Sequence, residues 1–283
     1  MEDTSIAPAD GTCHFLRLPA ELRDLIYRQA LFSPEGLACR STQECGKLHY
    51  RLYAIESYDD SSKMNGYTKE PLGIATSELN QLKFVCRQLN VETKCVSTSI
   101  NAIVFLKGIP DFIEFATACP KSVLNQISSV TIHHEQEYDD HNFCEPSHGT
   151  SLLDFCKQQP YTSVELRHSW LDPHEPDFFQ RMIEFAIHFR NDRGVVARVT
   201  ASLNAQQYLI HRAVDIWYAN TDISDRLKEY PRNLRAFPPY KTLNDVVFKD
   251  HYLADAIDML DVNMSDGLPG GVELVKGVFQ RGI

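Results

Sequence analysis

Apolar residues in this chain come in short runs of two kinds that take turns. Ala102–Leu106, Ile127–His133 and Val195–Thr200 have the composition and length of strands. Pro110–Cys119, Phe178–Arg190 and Gln206–Tyr218 instead repeat their apolar residues at three- and four-residue steps, the period of a helix. A short strand buries its apolar side only if something covers it. The recurring order strand, helix, strand therefore predicts an α+β fold, an irregular α/β layer of short strands covered by helices. The strand starts near 102 and 127 are spaced like one unit of a solenoid, but a leucine-rich consensus is absent, which speaks against a regular horseshoe.

The sharpest helix signal comes earlier, at Leu18–Leu31. Pro19 suits a first turn, where a missing N–H costs nothing. Glu21 lies at the positive end of the helix dipole and Arg28 at the negative end. Leu22, Leu25, Ile26 and Ala30 share one face, and Ser33-Pro34-Glu35-Gly36 stops the helix. Leu48, Tyr50, Leu52 and Ala54 then alternate as in a strand, with a hairpin as the natural partner arrangement. Asp59–Pro71 reads as a loop. Leu79, Leu82, Cys86, Leu89 and Val96 predict a second long helix from Ser77 to Val96. A last helix is expected at Tyr252–Leu260, a proline-bearing connector at Pro231–Pro239, and a Gly-rich tail after Met264. The expected organisation is a disordered tail at 1–12, an N-terminal helix-and-hairpin part at 13–106, an α/β interaction part at 107–262 and a weakly ordered tail at 263–283.

Charge and composition narrow the function classes. Hydrophobic residues make up 43% and charged residues 23% of the 283, which is globular rather than disordered composition. A net charge of −10 argues against coating nucleic acid or an anionic membrane through the overall field. No run approaches the roughly 20 apolar residues of a membrane helix. The eight cysteines include no C-x-x-C pair, and the acidic N-terminus lacks the order of a secretory signal. Reduced thiols and a cytoplasmic or nuclear address are the expectation.

Chemistry is sparse in the sequence. The stretch 133–148 carries His133, His134, His141, Cys144 and His148 beside Asp139 and Asp140, a set of zinc-compatible donors whose spacing matches no standard finger. No Gly-x-Ser-x-Gly, His-Glu-x-x-His or glycine-rich phosphate loop is present. Cys86 lies on an apolar stripe and is expected to be a buried, inert thiol. Phe178, Met182, Phe185 and Phe189 form a stripe that reads as core. Arg87 is expected to pair with Glu21 or Asp24 and tie two helices together. No cofactor, metal or catalytic residue is assigned.

One resemblance is visible. Phe15-x-x-Leu18-Pro19-Ala20-Glu21-Leu22-Arg23-x-x-Ile26-Tyr27-x-x-Ala30-Leu31 resembles the first helix of the fungal F-box-like proteins. Val85-Cys86-Arg87-Gln88-Leu89-Asn90-x-Glu92-Thr93 stands where that family has its Cys-Arg-Gln motif, and Asn101-Ala102-Ile103-Val104-Phe105 where it has an Asn before an apolar strand. The likeness spans about residues 14–133. It implies a non-enzymatic protein-interaction adaptor, a substrate receptor of a cullin-type ubiquitin ligase, with Leu18, Pro19, Leu22, Leu25 and Ile26 contacting a Skp1-type adaptor subunit and the α/β remainder binding a protein substrate. After Ser33 the chain departs from a three-helix F-box. The same apolar stripe serves equally for burial within the domain. An intracellular scaffold or regulatory binding protein without Skp1 contact is the alternative, and a zinc-binding protein or enzyme using loop 133–148 a lesser one.

Overall fold

The computed structural model describes residues 14–44, 47–56, 73–134, 146–168, 171, 181–182, 231–238 and 271–283. The fold is α+β, and the chain divides into two compact units, residues 1–102 and 103–283.

The first unit opens with a 3₁₀ turn at His14–Arg17, followed by α1 (Ala20–Ala30). Pro19 stands at the helix entrance, and its carbonyl accepts from the N–H groups of Leu22 and Arg23. Leu31 ends the helix by donating its N–H to Tyr27. The chain then turns at Gly36, whose φ of 87° suits a residue without a Cβ. Strands β1 (Leu37–Glu44) and β2 (Lys47–Glu56) form an antiparallel hairpin in register from Leu37 opposite Ala54 to Glu44 opposite Lys47. Strand β3 (Gly73–Glu78) joins β2 antiparallel, with an irregularity between Tyr53 and Ile55.

The single helix expected over 77–96 is not formed. Ser77 and Glu78 belong to β3, a 3₁₀ turn takes Leu82–Phe84, and two short helices follow, α2 (Arg87–Thr93) and α3 (Val96–Ile100). Cys86 breaks the run with an extended backbone, φ −158° and ψ 165°. Asn80 donates its side-chain amide to the Thr93 carbonyl at the end of α2, and Thr93 Oγ1 donates back to the Leu89 carbonyl one turn earlier, the local bond that Thr introduces in a helix. The five apolar residues nevertheless reach one place. Leu89 and Val96 are buried with Tyr27 and Leu31, and Leu79, Leu82 and Cys86 pack around them with Phe15, Leu16 and Ile100.

The second unit, which begins one residue into β4 (Ala102–Phe105), takes β4, β5 (Ser129–His134), β6 (Ser163–His168) and β7 (Leu234–Phe237) side by side in that order. β6 runs parallel to both β5 and β7. Parallel neighbours need a crossover, which α6 (Pro146–Gln158) supplies between β5 and β6. Helices α4 (Ile109–Ala118) and α5 (Lys121–Leu124) precede β5. Edge-to-face rings hold α4 to its neighbours, Phe112 lying 5.2 Å from Phe105 and 4.8 Å from Phe155. Val130, Ile132, Val164 and Leu166 complete this core. The Asn233 amide donates to the carbonyls of Cys156, Gln159 and Thr162, fixing the α6–β6 turn.

Two expectations change here. The proline-bearing stretch 231–239 contains β7, whose alternate residues Leu234 and Ala236 are buried. The Gly-rich end, expected as a weakly ordered tail, contains α7 (Gly271–Arg281), with Val275 and Val278 buried one turn apart. The tail at 1–12, the loop 59–71, the elements at 195–200, 206–218 and 252–260 and most of the His-rich stretch lie outside the described residues. Of the Phe178–Phe189 stripe only Met182 is described, and it is fully buried.

Candidate functional site

Helix α1 is amphipathic in an unexpected sense. Its inward side is Arg23, Tyr27 and Leu31, spaced i, i+4, i+8. Tyr27 and Leu31 are 2% exposed. At about 100° per residue, Leu18, Leu22 and Leu25 lie on the opposite side, with Ile26 beside them. Leu22, Leu25 and Ile26 are 47%, 59% and 44% exposed. Pro19 is exposed and Leu18 half-buried. Four of the five residues singled out by the motif are therefore at the surface, and the apolar stripe of the sequence is an outward ridge.

The inward side is held by an ionic clasp. Arg23 Nε donates to Glu92 Oε2 at 3.0 Å and Nη2 to Oε1 at 2.7 Å, the bidentate geometry that guanidinium and carboxylate favour. Tyr27 Oη donates to Oε2 at 2.6 Å and Gln88 Nε2 to Oε1 at 2.9 Å. A carboxylate accepting four hydrogen bonds, the Arg23 pair foremost, is held down to a pKa of about 2. Burial, followed by the Glu92 contact, pushes the Tyr27 phenol up to about 12. The Glu92 hydrogen bond raises Arg23 as well. Arg23 also donates through Nη1 to the carbonyls of Leu16 and Leu18, so one side chain fixes both the entrance of α1 and its distance from α2.

The tie between the motif helices thus runs opposite to the sequence expectation. The cation is Arg23 of α1 and the anion Glu92 of α2. Arg87 is exposed on the far side of α2, and Asp24 instead pairs with Arg28 one turn along. Both partners stand inside the quoted motifs, but spacing says nothing about which of several charges meet across 69 residues.

The exit of α1 is held by Asn101, which is buried. Its amide nitrogen donates to the carbonyls of Leu31 at 2.7 Å and Ser97 at 2.9 Å, and its oxygen accepts from the Ser33 N–H at 2.7 Å. Phe32, between the two clamped residues, is 55% exposed.

No family model, curated protein or solved structure matches this chain.

The chemistry of the site is apolar recognition on a fixed frame. Completing the burial of Leu22, Leu25 and Ile26 against a partner is worth roughly 1 kcal/mol for each side chain. Among the described residues, no three His, Cys, Asp or Glu side chains converge as a metal site. Residues 135–145 of the zinc-compatible stretch lie outside the described residues. Cys156, with its side chain buried, has its thiol pushed up to about 12 by desolvation. Cys86 packs at the edge of the core cluster and is only partly covered. Among the described residues, no helix is long and apolar enough to cross a membrane.

Proposed function

We propose that α1 is the docking helix of a protein-interaction adaptor, with Leu18, Pro19, Leu22, Leu25 and Ile26 forming the contact to a Skp1-type subunit of a cullin ubiquitin ligase and the α/β unit receiving a protein substrate. One observation carries this reading. The apolar stripe that the F-box-like motif supplies is turned away from its own core, while an Arg, a Tyr and the C-terminal Leu31 supply the inward side. Three large aliphatic side chains on one short rigid helix make a local apolar patch of the kind that marks an interaction surface. Helix-in-groove docking uses such anchors at i, i+3, i+4 spacing.

The test is size-exclusion chromatography of the purified chain mixed with fungal Skp1, beside the double variant Leu22→Asp/Ile26→Asp checked by circular dichroism. Co-elution that disappears in the folded variant supports the receptor reading. Failure of the unaltered chain to co-elute overturns it.

A second reading has its own observation. Where an F-box continues into two more helices, this chain forms the β1–β2 hairpin. A scaffold that uses the same α1 ridge for a different protein fits that departure, and it is the reading left standing if Skp1 does not bind.

A further inference from the structure

Helix α2 carries a second surface, distinct from the α1 ridge. Leu89 and Thr93 point into the core, 6% and 0% exposed. Arg87, Val91 and Lys94, at i, i+4, i+7, occupy the opposite side and are all exposed, Val91 by 70%. Just before the helix, Phe84 and Val85 are 69% and 68% exposed. These exceed the exposures of Leu22, Leu25 and Ile26 on α1. The only carboxylate of α2, Glu92, is turned inward to Arg23 and Tyr27. The outward side of α2 thus carries Val91 among Arg87, Gln88, Asn90 and Lys94, with two cations and no anion from its own helix; beside it the Lys83 ammonium lies 4.9 Å over the Phe84 ring and pairs with Glu78 of β3.

We propose that this face, Phe84, Val85 and Val91 flanked by Arg87 and Lys94, docks an acidic amphipathic segment of a partner protein. Its apolar residues cover the three hydrophobic side chains, and its carboxylates meet the two cations. Charge complementarity selects this occupant. An anionic membrane shares the chemistry but fits less well. Membrane recognition of this kind uses clusters of about 4–8 cations or a long amphipathic helix. α2 has seven residues and the patch offers two cations from it, Arg87 and Lys94, short of either. The surface is separate from the α1 ridge in its residues: all five lie on α2, at its end or in the turn before it, and none on α1.

The experiment selects binders to the full chain from a phage-displayed random-peptide library and measures the enriched peptides by fluorescence anisotropy. Four proteins are compared: the unaltered chain, Val91→Asp, Arg87→Glu/Lys94→Glu, and Leu22→Asp/Ile26→Asp. The expected peptides carry Leu or Phe at helical spacing among Asp and Glu. Affinity falls about tenfold or more in Val91→Asp and in the charge-reversed protein and is unchanged in the α1 variant. Exchanging Glu for Lys in the peptide restores binding to the charge-reversed protein, a result that mere loss of structure does not give. No enrichment, or binding indifferent to both α2 variants, overturns the proposal. Peptides lost only with Leu22→Asp/Ile26→Asp overturn it too, and leave the α1 reading in place. Binding to phosphatidylcholine–phosphatidylserine vesicles that Arg87→Glu/Lys94→Glu abolishes, without peptide enrichment, replaces the protein partner by a membrane.

Discussion

Arg23 and Glu92 are 69 residues apart in the chain, and the guanidinium of one closes on the carboxylate of the other with two parallel hydrogen bonds. This contact decides which way α1 faces. A helix with Leu22, Leu25 and Ile26 available for burial instead buries Tyr27 and Leu31, because Arg23 on that same side finds a bidentate partner and Tyr27 adds a third bond to it. Rotating α1 to bury the aliphatic stripe would break all three bonds. The ionic clasp and the apolar ridge are two sides of one arrangement.

Acid should release the clasp. The folded state holds Glu92 at about 2, below its ordinary 4.5, so its contribution is fully present above about pH 4.5 and is lost as pH falls toward 2. Glu92→Gln is expected to melt lower than the unaltered chain near neutral pH and to show a shallower loss of Tm across that acid window. Thermal melts followed by circular dichroism from neutral pH down to pH 2 measure both. Parallel curves for the two proteins would mean that the clasp contributes nothing.

Alkali tests the other partner. The Tyr27 phenol is raised from 10 to about 12, so the folded state favours the protonated form. That stability is present below about pH 10 and is lost as pH rises toward 12. Tyr27→Phe should lose about 1 kcal/mol near neutral pH from the missing hydrogen bond. It should also lack the alkaline step. Urea unfolding at neutral and alkaline pH distinguishes the two, and a step that persists in the variant belongs to another group.

Much of the architecture was legible because local rules govern it. Pro19, the Ser33–Gly36 stop and the alternation at Leu48–Ala54 gave α1 and β2 within a few residues. The run from Leu79 to Val96 shows where such rules end. Its apolar period correctly marks residues that share a core, yet that core is reached by a loop, a 3₁₀ turn and two short helices rather than one long helix. Period constrains burial more tightly than it constrains backbone. In the same way, Pro231 and Pro238 disguised the four residues of β7, and Gly271, Gly277 and Gly282 disguised α7. Of the candidate site, the ridge residues were legible and their outward direction was not, since it depends on a charge pairing between distant segments.

Asn101 should be costly to lose. Its one buried side chain serves the Leu31 carbonyl, the Ser97 carbonyl and the Ser33 N–H. Asn101→Ala leaves those backbone groups without it in a buried setting, a loss of about 3 kcal/mol. Asn101→Asp keeps the acceptor for Ser33 but sets an anion against two carbonyl oxygens and should be no better. Denaturant unfolding gives the stability. Hydrogen exchange at Ser33 gives the local effect, with faster exchange expected in Asn101→Ala. An unchanged exchange rate there would remove Asn101 from its assigned role.

Gly282 closes α7 at a position that favours a residue without a Cβ. Its φ is +68°, in the left-handed region, and its N–H donates to the Val278 carbonyl to finish the helix. A Cβ built there would stand 2.8 Å from the Ala236 carbonyl oxygen and 3.0 Å from the Phe237 ring. The next residue, Ile283, exchanges two hydrogen bonds with Ala236 of β7, so the turn at Gly282 is what brings the chain back to that strand. Gly282→Ala therefore meets both a backbone strain and a collision with main-chain oxygen, together about 2 kcal/mol. The strain is local, so hydrogen exchange should quicken at Ala236 and Ile283 before it quickens in β5 or α4. Equal protection of those two amides in the variant and the unaltered chain would show that the close approach at Gly282 relaxes without cost.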